Sequence, residues 1–328
     1  MILPREAVKY QGKVADVAEL QTINFSRLIS QEPVELKKLL HLCQTEGFFY
    51  LDLQGLDSSR MLEDLQNLLA VMKRFFDSPL HEKNERGFES QRDGYEAIGT
   101  HAGIVEGTRD GYETLKVSRL WAEMSCIVKN EVPTFRNFVA GSSIITRLIL
   151  ASLSNAMGRS GDTRFECFHR DNEPSNTTLV MFRYVPGDLR TDQRVGHQQH
   201  TDIGSLTLLF SEQWGLQVQR PGAEAWEFIE PLAGHAVINV GDSLRFASGN
   251  KLYSCIHRVV PIDNPEPRYS IAYFLRPEDN VVYKDSNGRE IRASDWHDEK
   301  YSVFQQDHKA QEASYSVLMG GMQEVLKS

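Results

Sequence analysis

The chain changes its hydrophobic period once, near its middle. In the first half apolar residues recur every three to four positions: Val34, Leu36, Leu39, Leu40 and Cys43 form one stripe, which stops at Gly47. That spacing predicts an amphipathic helix ended by a glycine. Phe48-Phe49-Tyr50-Leu51 follows at once and reads as a short strand. A second helix is expected from the Asp57-Ser58-Ser59 cap region through Met61, Leu65, Leu68, Leu69 and Met72 to Phe76. A third follows Pro133, with Phe135, Phe138, Val139, Ile145, Leu148 and Ile149 apolar. Between these two, residues 84–112 are polar and rich in glycine and charge, the pattern of a long loop.

From Leu179 onward short β-branched and apolar runs take over, among them Leu206-Thr207-Leu208-Leu209-Phe210, Val237-Ile238-Asn239-Val240 and Cys255-Ile256-His257-Arg258-Val259-Val260. They are separated by Pro186-Gly187, Pro221-Gly222, Gly234, Gly241-Asp242 and Ser248-Gly249-Asn250. Short strands at this spacing predict a sandwich or barrel. After Pro277 the chain turns polar, then closes with a candidate helix containing Tyr315, Val317, Leu318 and Met319. The expected class is mixed α/β (α+β): a mostly helical region over 1–170, a β core over 171–280 and a C-terminal extension over 281–328. No internal repeat or interdomain linker interrupts it.

With 328 residues, 41% hydrophobic and 25% charged, the composition is that of a globular protein. A net charge of −9 and the absence of basic runs argue against a nucleic-acid surface. Cys43, Cys126, Cys167 and Cys255 lie far apart with no C-x-x-C pair, which indicates neither a zinc ribbon nor a disulfide framework and makes a reducing cytosol the expected compartment. The amino terminus lacks a signal-like apolar core, and no run is expected to approach the length needed to span a bilayer. Oligomeric state is not legible.

Candidate chemistry concentrates in His200-Thr201-Asp202 and the later His257. On a strand, residues i and i+2 share a face, so His200 and Asp202 can converge on one ion, with His257 arriving from a second strand. Two imidazoles and one carboxylate make the facial triad of non-haem Fe(II) oxygenases, which leaves positions open for substrate and oxygen. Nitrogen and oxygen ligands also suit manganese and zinc, and affinity order alone does not choose between them. Further on, Arg268-Tyr269-Ser270 places a guanidinium fork and a hydroxyl side by side, a grip for one carboxylate.

The order His-x-Asp, His, Arg-x-Ser resembles the isopenicillin N synthase-like family of Fe(II)/2-oxoglutarate-dependent oxygenases, and the similarity covers most of the chain. It extends to Gly196-His197-Gln198-Gln199-His200, Gly215-Leu216-Gln217-Val218 and Val240-Gly241-Asp242-Ser243-Leu244. The resemblance implies a double-stranded β-helix, or jelly roll, with Fe(II) held by His200, Asp202 and His257. It also implies 2-oxoglutarate anchored by Arg268 and Ser270 with Tyr184 nearby, and O2 as second co-substrate. Where many relatives carry Asn-Tyr-Tyr-Pro, this chain has Arg183-Tyr184-Val185-Pro186. That stretch and residues 84–112 look most similar to fungal secondary-metabolite oxygenases. The expected partner is a small molecule derived from a polyketide or an amino acid.

Two alternatives stay open: an oxidase similar to isopenicillin N synthase that consumes no 2-oxoglutarate, and a non-catalytic small-molecule binder on the same fold. Substrate candidates are Arg183, His197, Phe274, Arg92 and Tyr95. His41, His81, His169, His235, His297 and His308 are read as ordinary core or surface histidines, and Asp242 as a turn residue.

Overall fold

The computed structural model describes residues 8–10, 12–84, 93–102, 106–118, 128–186, 196–223, 225–260, 262 and 266–322. The expected helices form at Pro33–Thr45, Ser59–Asp77 and Val132–Ala156, and Gly47 takes the positive φ of +68° that ends the first. Ser59–Asp77 turns Met61, Leu65, Leu68, Leu69, Met72, Phe75 and Phe76 inward. The Lys129–Ala156 segment is long and apolar enough, by length and composition, to cross a membrane, contrary to the expectation that no run is. It behaves as a core helix, because Phe135, Phe138, Ile145, Ile149, Leu150 and Leu153 are buried in the cluster shared with Ser59–Asp77 and the large sheet.

Two sheets face each other in a jelly-roll arrangement. The larger runs in the order Thr22–Asn24, Phe48–Asp52, His235–Val240, Leu206–Ser211, Arg268–Leu275, Thr178–Tyr184, Tyr112–Val117, Gly94–Glu96. The smaller runs Glu227–Phe228, Leu216–Gln219, Ile256–Val259, His197–His200. Period-two alternation divides the large sheet into two surfaces. Leu115, Val117, Leu179, Met181, Ile271 and Tyr273 pack with the helices. Tyr112, Val180, Phe182, Tyr184 and Ala272 pack with Leu216, Val218 and Ile256 of the small sheet. The functional residues lie on this inner surface.

Three elements depart from the pattern-based expectation. Residues 84–112 contain the strand Gly94–Glu96, which pairs with Tyr112–Val117 through Glu96↔Thr114 and so extends the large sheet. The polar tail forms Ala293–Phe304 as well as the short helices His308–Ala313 and Tyr315–Leu318. Asp242 does more than turn the chain: it opens the helix Asp242–Ala247 and is fully buried.

Candidate metal centre and active-site cavity

His200 and His257 stand directly opposite each other on neighbouring antiparallel strands. Their rings are 4.3 Å apart between centroids. His200 is the last residue of its strand, and Asp202 lies just beyond it in the following turn. The two therefore do not converge through strand alternation; the chain bends after His200 and brings the carboxylate back. Asp202 Oδ1 comes within 3.5 Å of His200 Nε2 and 3.6 Å of His257 Nε2. All three ligand atoms lie within 4.8 Å of one another, and all three residues are buried.

The hydrogen bonds around this set fit it for a cation. His200 Nδ1 donates to the Gln198 carbonyl at 2.6 Å and His257 Nδ1 to the Cys255 carbonyl at 3.1 Å, which leaves both Nε2 lone pairs facing the centre. Burial and the neighbouring His200 pull the pKa of His257 down to about 4, so it is neutral at pH 7. Burial opposes ionisation of Asp202. The facing histidines and the Asn239 amide outweigh it, holding the carboxyl well below the usual range. Its Oδ2 accepts from Asn239 Nδ2 at 2.6 Å and from Thr207 Oγ1, which keeps Oδ1 for the centre.

Along the same inner face, Arg268 pairs across the ladder with Tyr184, and Ser270 with Phe182. Arg268 Nε donates to the Trp214 carbonyl at 2.9 Å, Nη1 reaches Ser270 Oγ at 3.4 Å, and the guanidinium lies 4.9 Å from the Tyr184 ring centroid. Burial raises the Tyr184 phenol to about 12 despite Arg268 beside it. A guanidinium, a hydroxyl and a phenol thus share one buried corner suited to a carboxylate.

A cavity opens beside the triad. His200, Asp202 and His197 form its base, and Tyr112, Val180, Phe182, Phe274 and Phe304 its apolar wall. Glu96, Thr114, Lys116 and Tyr301 supply a polar wall. Lys116 Nζ donates to Glu96 Oε1 and to Tyr301 Oη, both at 2.7 Å. Against the cost of burial, His101 and Lys116 hold Glu96 at about 2. Arg268, Ser270 and Tyr184 do not line this cavity, but Tyr184 packs behind its wall, with its ring centroid 5.3 Å from Tyr112 and 6.0 Å from Phe182.

His197 stacks on His200 at 4.5 Å, and Phe274 lies on the cavity wall. Arg183 and Tyr95 do not reach it, which corrects the expectation that they meet substrate. Both sit on the opposite face of the sheet, where Arg183 Nε and Tyr95 Oη donate to Glu113. The reason is alternation: Tyr184 and Glu96 point inward, so their neighbours point out. Arg92 lies outside the described residues. His169 is the satisfied core histidine expected, bonded to Phe165 O and Ser205 Oγ at 2.8 Å each. Glu96, Thr114, Lys116, Tyr301 and Phe304 were missed. A lysine two residues after a threonine inside the strand Tyr112–Val117 was the one available signal.

The jelly roll and its buried two-histidine, one-carboxylate cluster define a mononuclear iron oxygenase. Residues 176–277 match the family model of the 2OG-Fe(II) oxygenase superfamily, and residues 20–134 that of the non-haem dioxygenase in morphine synthesis N-terminal region. The chain is 42% identical to the 2-oxoglutarate-dependent dioxygenase gloE of Glarea lozoyensis over 95% of both chains. It is 41% identical to the 2-oxoglutarate-dependent dioxygenase frbH of Dothideomycetidae sp., covering 95% of this chain and 98% of that one. A full-length Neurospora crassa protein crystallised in complex with alpha-KG shares the fold with a TM-score of 0.69 at 23% identity, over 86% of this chain and 96% of that one. The protein belongs to the 2OG-Fe(II) oxygenase superfamily, with Fe(II) and 2-oxoglutarate as its cofactor and co-substrate.

Proposed function

We propose that the protein oxidises a C–H bond of a small fungal secondary metabolite, with His200, Asp202 and His257 as the iron ligands. In the same reading Arg268, Ser270 and Tyr184 hold the far carboxylate of 2-oxoglutarate. The observation that carries the assignment is the convergence of three ligand atoms within 4.8 Å, with His200 and Asp202 at the base of a cavity. The two relatives come from fungi and are named 2-oxoglutarate-dependent dioxygenases, which supports a fungal setting and a reaction of this type.

When bound, iron would use O2 as the oxidant, with 2-oxoglutarate supplying two of the electrons and the substrate C–H bond the other two. The chain's own residues do the rest. Gln198 and Cys255 carbonyls fix the histidine tautomers, and Asn239 and Thr207 orient the Asp202 carboxylate. Arg268 and Ser270 offer charge-assisted and neutral donors to one carboxylate, and the aromatic wall gives the reacting face an apolar surface. Glu96, Lys116 and Tyr301 give the substrate pocket a polar side, so a substrate with both apolar surface and hydrogen-bonding groups fits it better than a hydrocarbon.

The test is anaerobic addition of 2-oxoglutarate to the Fe(II)-loaded protein, followed by its visible metal-to-ligand charge-transfer absorption, with His257→Ala as control. The band is expected in the parent and absent in the variant. Iron binding without the band would favour an oxidase that uses no 2-oxoglutarate. Failure of the parent to bind iron would leave the non-catalytic binder.

A further inference from the structure

The turn that carries His200 and Asp202 is held from behind by a lysine of the C-terminal extension. Lys300 lies on the helix Ala293–Phe304, outside the segment matched by the oxygenase family model. Its side chain and that of Asp242 are both 0% exposed. Lys300 Nζ donates to Asp242 Oδ2 and to Thr201 Oγ1, each at 2.6 Å. Thr201 is the single residue between His200 and Asp202. The Asp242 amide donates to the Asp202 carbonyl at 2.8 Å. One ammonium therefore ties together the residue between two ligands and the residue whose backbone holds the second of them.

Two further contacts bring the same extension to the site. The Thr201 amide donates to the Leu318 carbonyl at 3.1 Å. Phe304, one helical turn beyond Lys300, packs edge-on against the His200 ring with centroids 5.3 Å apart. The extension thus touches the turn behind the metal site and the imidazole in front of it.

A fully buried lysine and aspartate are an expensive way to fill a core, since apolar residues of equal volume stabilise a fold as well or better. Bulk stability does not account for the pair; the fixing of one backbone course does. We propose that Lys300 is a positioning residue for the iron site, clamping Thr201 and Asp242 so that His200 Nε2 and Asp202 Oδ1 are presented to the same point. The proposal rests on the ligand assignment above.

Its test uses Co(II), which binds the same nitrogen and oxygen donors and reports coordination through its visible absorption. Thr201→Val deletes the hydroxyl without changing the side-chain volume. Lys300→Met would strand the Asp242 charge, so the charge-free pair Lys300→Met/Asp242→Asn serves as the second background. Dissociation constants are measured by chelator competition and the melting temperature of each apoprotein is recorded. Thr201→Val is expected to fold but to melt somewhat below the parent, since a buried ammonium loses one acceptor, to weaken Co(II) about 10-fold or more and to change its absorption. In the charge-free background the same substitution should cost little further affinity, because the bond to Lys300 is already gone and the hydroxyl keeps only a long contact to the Leu318 carbonyl, at 3.5 Å.

Parental affinity and absorption in Thr201→Val would overturn the proposal, whether or not the charge-free pair folds. An equal loss in both backgrounds would overturn it too, since Lys300 would then not act through Thr201. His257→Ala separates the two levels: if that variant keeps parental Co(II) affinity, the ligand assignment itself falls and takes the Lys300 role with it.

Discussion

Gly215→Ala should weaken 2-oxoglutarate binding while leaving the metal site intact. Gly215 precedes the strand Leu216–Gln219 with φ +131°, where an alanine costs about 1–3 kcal/mol of backbone strain. An added Cβ would lie 2.9 Å from Arg268 Nε, 2.9 Å from the Val260 carbonyl oxygen and 3.0 Å from Arg268 Cδ. The carbonyl has little freedom, because the Val260 amide donates back to Gly215 O at 2.8 Å and ties the two segments together. Arg268 is the group that must move, and with it goes its 2.9 Å bond to the Trp214 carbonyl. A displaced guanidinium forfeits a charge-assisted bond to a bound carboxylate, about 1.5–3 kcal/mol. At about 1.4 kcal/mol per decade, affinity for 2-oxoglutarate should fall about 10- to 100-fold.

Anaerobic titration of the Fe(II) protein, followed by the charge-transfer band, measures that affinity directly. Pyruvate, which keeps the keto acid and lacks the far carboxylate, provides the control: its weaker binding should be the same in parent and variant. A 2-oxoglutarate dissociation constant within twofold of the parent would refute the argument that Gly215 makes room for Arg268. An equal loss for pyruvate would refute it as well, by moving the damage to the metal.

Asn239→Leu removes the 2.6 Å bond to Asp202 Oδ2 and should lower Fe(II) affinity about 10-fold in an equilibrium metal titration, with Thr207 still donating. Burial holds the His169 pKa at about 4, below the 6.5 of an ordinary histidine. The unfolded chain therefore binds the proton first as pH falls. Stability is intact above pH 6.5 and is lost progressively from there toward pH 4, by about 3 kcal/mol at most. Denaturant titrations at several pH values should show this acid slope in the parent and a flatter one in His169→Gln. Phe138→Ala, at a fully buried position 5.9 Å from the Phe210 ring, should cost about 3–5 kcal/mol in urea unfolding with an unchanged slope.

Hydrophobic period carried much of the architecture. The stripe from Val34 to Cys43, the helix ending at Phe76 and the apolar segment after Pro133 were legible because each element buries one face, and burial imposes its period on the residues. The candidate iron ligands were legible for a chemical reason: two imidazoles and a carboxylate, followed by Arg-x-Ser, are a costly combination to keep buried unless something binds there. Gly94–Glu96 stayed hidden because a three-residue edge strand has too few positions to show a period.

Which side of the sheet a residue faces was decided only by the tertiary structure. Arg183 and Tyr184 are adjacent, yet one meets Glu113 under the helices and the other meets Arg268 between the sheets. The register of the ladders sets that choice, and register depends on partners far away in the chain. The wall built by Glu96, Lys116, Tyr301 and Phe304 joins strands of the first half to a C-terminal helix, and Lys300 reaches Thr201 and Asp242 from the same helix. The sequence by itself determined the main helices, the β-rich core and the chemistry at the base of the site. Its walls and the support behind it came from long-range packing, which no local pattern encodes because the contacting residues share neither a face nor a segment.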